Sequence, residues 1–188
     1  MDKKEARAEI KRRLRAMSAE EKARKSAAIC ERVMQLPEFK AAHAVMLFAS
    51  MPDEVETRPL FERCFAEGKH VALPKCVTND RRILPILVRS MSDLAIGAYG
   101  ILEPVGDKAI PVDEIDFVLV PGYGFDRAGN RLGKGAGYYD KFMSQPGFHA
   151  TRCAVTFSAQ ILAEVPHDDR DIPMQILVTE DEVLRFSL

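Results

Sequence analysis

Apolar residues fall in short runs separated by charged stretches of helical period. Segments 44–49, 70–74, 115–120, 153–157 and 175–179 read as strands. Segment 82–88 reads as another, and Pro85 inside it points to a sheet edge. Ala6, Ile10, Leu14 and Met17 form the apolar face of a first helix, capped by Asp2 with Glu5. Residues 18–21 fit a capping box for a second helix that ends near Gln35. Thr57 suits the cap of a third helix, about 58–67, with Pro59 tolerated in its first turn and Gly68 closing it. Tyr138 over Phe142 and Tyr139 over Met143 mark a last helix. Stretch 89–114 is loop-rich. Strands alternating with helices predict an α/β protein: one three-layer α/β/α domain, 1–188, around a largely parallel sheet. Its N-terminal helices span about 2–35.

The punctuation is uneven. Six of the eleven glycines lie between Val120 and Phe142, in VPGYGFDRAGNRLGKGAGYYDKF, with Gly147 just beyond. An apolar strand enters this stretch and a helix leaves it. Gly133, Gly135 and Gly137 remove Cβ atoms at alternate positions, so a ligand can approach the amides closely. N–H groups at a helix start attract an anion, and Arg131 and Lys134 add charge beside them. Asp140 could hold Mg²⁺ on the far side of a phosphate. The spacing matches neither a Walker A loop nor G-x-G-x-x-G. The plain alternative is a glycine-rich turn that needs positive φ.

Composition narrows the class. The chain has 188 residues, 47% hydrophobic and 29% charged, with a net charge of −1, as expected of a soluble globular protein. No apolar run approaches a membrane span, and the charged N-terminus lacks the core of a signal peptide. Cys30, Cys64, Cys76 and Cys153 are widely spaced, so reduced core thiols in the cytosol are expected. His43, His70, His149 and His167 sit in unrelated contexts and suggest no triad. The first 43 residues are basic, but no aromatic–basic interleaving supports nucleic-acid binding.

The glycine-rich stretch resembles the signature of 5-formyltetrahydrofolate cyclo-ligases, PG-x-x-FD-x-x-G-x-RLG-x-G-x-GYYD. Pro121, Gly122, Phe125, Asp126, Gly129, Arg131, Leu132, Gly133, Gly135, Gly137, Tyr138, Tyr139 and Asp140 all fall in register. Two further stretches are similar to family patterns: Ser50, Glu54, Val55 and Thr57, and Gly100-Ile-Leu-Glu-Pro104. The resemblance implies ATP-dependent closure of 5-formyltetrahydrofolate to 5,10-methenyltetrahydrofolate. It implies ATP contacts from Lys3, Lys4 and Arg7, and from the loop residues Arg131, Leu132, Gly133, Lys134, Gly135, Ala136, Gly137, Tyr138 and Tyr139. Folate contacts would come from Ala49, Glu54, Lys134, Gly135, Ala136, Gly137 and Tyr138, with Glu54 accepting from the pterin donors. Arg131, Lys134 and Tyr138 would be the catalytic groups, and Asp140 and Asp171 would bind Mg²⁺. Some relatives carry Lys at the position of Ala136, which leaves Lys134 more of the phosphate contact. Bland roles compete at each position: Lys3 and Arg7 as solvated charges, Glu54 as a loop carboxylate, Asp171 as an Asx-turn residue. Small-molecule partners and a monomer or weak homodimer are expected. The rival reading is a nucleotide- or folate-binding module without turnover.

Overall fold

The computed structural model describes residues 1–97 and 100–187. Positions 98 and 99 of the expected loop-rich stretch, and 188, lie outside the described residues. Strands β1 (Ala44–Met46), β2 (His70–Val77), β3 (Arg82–Val88), β6 (Phe117–Val120), β9 (Thr151–Val155), β10 (Ile176–Val178) and β11 (Val183–Arg185) form one sheet. Its order is β11-β10-β9-β6-β1-β2-β3. The five inner strands are parallel, and β3 and β11 pair antiparallel at the two edges. Pro85 sits on edge strand β3, where a missing N–H costs least.

The inner strands alternate between two cores. Val45, Phe117, Leu119, Cys153, Ile176 and Val178 face one side, with Ile10, Ile29, Val33, Phe39 and Phe61. Met46, Val118, Val120, Ala154 and Leu177 face the other, with Phe142 and Met143. Successive side chains of a strand point to opposite faces, so a strand covered on both sides reads as an unbroken apolar run. Phe39 meets Phe117 edge to face, ring centroids 5.6 Å apart.

Helices α1 (Lys3–Arg15), α2 (Ala19–Gln35), α3 (Pro37–Ala41) and α4 (Arg58–Ala66) cover the first face. The second face carries α5 (Tyr138–Ser144) and irregular chain, so the third layer is thin. Asp2 and Glu5 form the expected capping box of α1, and Ala6, Ile10, Leu14 and Met17 are buried. The second box forms by half. Ser18 accepts from the Glu21 N–H, but Glu21 turns to Lys25, 3.0 Å away. Thr57 precedes α4 without capping it, because its hydroxyl donates to the Phe48 carbonyl at 2.6 Å. Two short hairpins were not expected. One is β4 (Leu94–Ile96) with β5 (Leu102–Pro104), and the other is β7 (Gly124–Phe125) with β8 (Arg131–Leu132). All four cysteines are free, but Cys76 is exposed rather than in the core.

The β7–β8 hairpin is built around a buried carboxylate. Asp126 accepts from the Ala128 and Asn130 backbone N–H groups, the Asn130 side chain and the Val165 N–H, each at 2.9–3.0 Å. Gly129, at φ +91°, completes the turn, where a Cβ would press on the Phe186 ring. Losing several charge-assisted bonds at once should cost about 2–4 kcal/mol in Asp126→Ala. Asp126→Asn keeps an acceptor oxygen and should lose less. Urea midpoints of the three proteins measure this. An Ala variant as stable as the parent would remove Asp126 from its structural role.

Candidate active site

A cavity of about 1120 Å³ opens where β1, β2 and β6 end. Strand order reverses at β1, which lies between β2 and β6. In open α/β sheets the crevice outside the carboxyl ends of strands, at such a reversal, is where ligands bind. Residues following all three strands line it, among them Ala49 after β1, Asp80 and Arg81 after β2, and Pro121 after β6.

The glycine loop forms one wall. Gly135 and Gly137 lie at φ +108° and +78°, in the left-handed region that β-carbons disfavour, so the turn requirement is real at both. Gly133 differs: a Cβ there would come within 3.0 Å of the Arg131 guanidinium. Arg131 lies beneath the loop and is only 7% exposed. It donates to the Pro121 carbonyl at 3.0 Å, sits 3.3 Å from the Asp140 carboxylate and stands over the Tyr139 ring. Its Nε is buried with no partner among the described residues. Leu132 is a core residue, so its backbone alone is available to a ligand.

Helix α1 delivers two more cations. Arg7 donates to the Gly133 carbonyl at 2.8 Å, which ties the helix to the loop. Lys3 donates to the Asp171 carboxylate at 2.9 Å. The same carboxylate oxygen accepts from the Asp168 N–H, three residues earlier, so Asp171 does not form the Asx turn expected of it; Asp168 does, accepting from the Arg170 N–H at 2.8 Å. Asp140 accepts from the N–H of Ile172, the residue after Asp171, at 3.0 Å. The two carboxylates therefore share one wall. Among the described residues no cluster of three metal-ligating side chains exists. Two carboxylates suit Mg²⁺ that completes its shell with water and phosphate oxygens.

The opposite wall carries Glu54. One of its oxygens accepts from the Met51 N–H at 2.9 Å. Burial raises its pKa, and the Lys134 charge opposes that rise. Lys134 reaches across to the Met51 thioether, 2.8 Å away. Burial also raises the Tyr139 hydroxyl, so it stays protonated. Phe48, Leu73, Pro74 and the β4–β5 hairpin residues Ile101, Leu102 and Pro104 supply apolar lining.

The cavity thus gathers Lys3, Arg7, Ala49, Glu54, residues 131–140 and Asp171, which are scattered along the sequence. Lys4 is exposed and not among the lining residues. The His167 ring meets the Val165 carbonyl at 2.8 Å. The β4–β5 hairpin was missed as a wall. Its only signal in the sequence is the G-I-x-E-P match over 100–104, which by itself implies no role.

A sequence profile of the 5-formyltetrahydrofolate cyclo-ligase family matches residues 1–180. The 5-formyltetrahydrofolate cyclo-ligase of Mus musculus is 32% identical, over 95% of this chain and 94% of its own length. That of Escherichia coli K12 is 30% identical, over 93% and 98%. The NMR structure of Aquifex aeolicus 5,10-methenyltetrahydrofolate synthetase superposes with a TM-score of 0.85 at 35% identity, covering 100% of this chain and 94% of that one. The match runs through both α1 and the glycine loop, the two elements that meet at the cavity, and on it the chain belongs to the 5-formyltetrahydrofolate cyclo-ligase family.

Proposed function

We propose that this protein closes 5-formyltetrahydrofolate to 5,10-methenyltetrahydrofolate at the expense of ATP, in the cavity at the ends of β1, β2 and β6. One observation carries the reading: a single cavity has a cationic, glycine-lined end and an apolar end with a half-buried carboxylate. The first suits a triphosphate, the second a pterin. The described residues hold no helix long and apolar enough to cross a membrane. A relative from Arabidopsis thaliana, 26% identical over 98% of this chain and 76% of its own length, is named mitochondrial, so location varies in the family.

The chemistry follows from a poor leaving group. The formyl carbon is an amide carbon whose oxygen must be lost. Attack of that oxygen on the γ-phosphorus of ATP releases ADP and leaves an iminium phosphate. The second folate nitrogen then attacks the carbon, loses its proton, and inorganic phosphate departs. Such a reaction needs alignment and charge neutralisation rather than a protein nucleophile. Lys3, Arg7 and Lys134 supply cations for the phosphates, and the amides at Gly133, Gly135 and Gly137 supply donors. Asp140 and Asp171 would hold Mg²⁺, which when bound neutralises phosphate charge. Glu54 accepts from pterin N–H donors, as carboxylates do with paired donors. Arg131 neutralises and orients Asp140 from below, and Tyr138 borders both halves.

The direct test is incubation with 5-formyltetrahydrofolate and Mg-ATP. The methenyl chromophore should grow in step with ADP. ATP and folate binding without either product would favour the non-catalytic module. Asp140→Asn should weaken metal retention roughly 10- to 100-fold, and excess Mg²⁺ should restore part of the rate. An unaltered Mg²⁺ requirement would take Asp140 out of the metal site.

Glu54→Gln replaces one acceptor by a donor and should weaken folate binding by about 1–3 kcal/mol. ATP binding should barely move. Because burial raises the Glu54 pKa, the carboxylate is ionised only above that raised value. Wild-type folate affinity should therefore fall as the pH drops through it, and the Gln variant should lose that limb. Calorimetry with each ligand across pH reads both effects. Equal losses for ATP and folate would mean that Glu54 serves the structure instead.

A further inference from the structure

The cavity's proposed metal carboxylates are each already paired with a cation of the protein, but the two cations differ in freedom. Arg131 faces Asp140 and is fixed by the Pro121 carbonyl and the Tyr139 ring under the loop. Its side chain is 5% exposed. Lys3 faces Asp171 from the first turn of α1, with 38% of its side chain exposed. The Asp171 contact is the one hydrogen bond that the Lys3 side chain makes among the described residues. Arg7, the next cation on that helix face, is committed to the Gly133 carbonyl.

We propose that Lys3 stands in for the divalent cation at Asp171 and leaves it when nucleotide phosphate arrives. The carboxylate thus becomes available to metal only as phosphate binds. This deepens the reading of the site given above and rests on it. An ammonium 2.9 Å from the Asp171 oxygen and a divalent cation on that oxygen repel each other, since like charges at such range are strongly opposed. A triphosphate draws the ammonium away on its long, flexible stem. Asp171 does not collapse when Lys3 leaves, because the Asp168 N–H still holds the same oxygen at 2.9 Å. Metal and nucleotide then bind with positive coupling, and the coupling is reciprocal. The arrangement keeps divalent cation from lodging in the site before the phosphate it must neutralise.

The test is Mn²⁺ binding, read from the loss of the free-ion EPR signal, without turnover. Wild type should take Mn²⁺ weakly alone and tightly with ADP. Lys3→Met keeps the apolar stem and removes the charge. It should bind Mn²⁺ alone roughly 1.5- to 5-fold more tightly, the range open to a part-exposed ion pair. ADP should then strengthen Mn²⁺ binding less than in wild type, and Lys3→Arg should behave as wild type does. The exchange is overturned if Lys3→Met binds Mn²⁺ alone no better than wild type while wild type takes Mn²⁺ with ADP in a manner that Asp171→Asn abolishes. In that case the metal assignment stands without it. If wild type takes no Mn²⁺ with ADP, or Asp171→Asn changes nothing, the metal assignment itself fails and the exchange falls with it.

Discussion

A buried guanidinium under the glycine loop is the constraint on which the site depends. Arg131 joins the end of β6, through the Pro121 carbonyl, to α5, through Asp140 and the Tyr139 ring. Removing one partner of a buried pair leaves an uncompensated charge, which is why such pairs fix geometry even where they add little net stability. Gly133 is required by the same contact, since a Cβ there would meet Arg131 at 3.0 Å. Asp126 performs the matching task at the far end of the hairpin, where it accepts four hydrogen bonds while 2% exposed. The segment between β6 and α5 is short of apolar side chains, and these two charged groups take over part of what a core would do.

Topology explains why the cavity lies where it does. The chain leaves β1 for β2 on one side and returns to β6 on the other, so the loops after these strands diverge. The gap is walled by the loop after β1, the glycine loop after β6 and the β4–β5 hairpin. Helix α1, far from these strands in sequence, packs Ala6, Ile10 and Leu14 into the core. That packing aims its first turn at the opening. Arg7 therefore reaches the glycine loop and Lys3 reaches Asp171 because the helix is amphipathic, with the apolar stripe setting the direction and the charged face supplying the two cations.

The sequence was most legible where burial dictated it. The inner strands are covered on both faces and appear as apolar runs, and Asp2 with Glu5 announced α1 without ambiguity. Legibility failed where one residue could satisfy several partners. Thr57 resembled a cap, but the Phe48 carbonyl claimed its hydroxyl. Glu21 fitted a box, but Lys25 lay one turn away. Strand β11 and the two small hairpins are three residues or fewer per strand, too short for any periodicity to show. For the site, the glycine register identified the loop, but whether a cation lies above or beneath it depends on rotamer and packing. Arg131 and Lys134 read alike in sequence, yet one is buried and the other reaches across the opening.

Most of the charges assigned to ligands have a protein partner within the site. Lys3 meets Asp171, Arg131 meets Asp140, and Arg7 meets the Gly133 carbonyl. Lys134 leans on Met51 and sits close enough to Glu54 to oppose the rise in its pKa. Ligand binding is then an exchange of partners, whose free energy is a difference between contacts made and contacts given up. Two consequences follow from that difference. The groups are oriented by the protein's own contacts, so little ordering remains to be done on binding. A ligand that supplies only one charge must break a pair to gain one, whereas a ligand bearing phosphates together with their cation satisfies both released partners at once. On the proposed reading, this pairing among the cavity's own charges favours a nucleotide–metal complex over a ligand that carries a single charge.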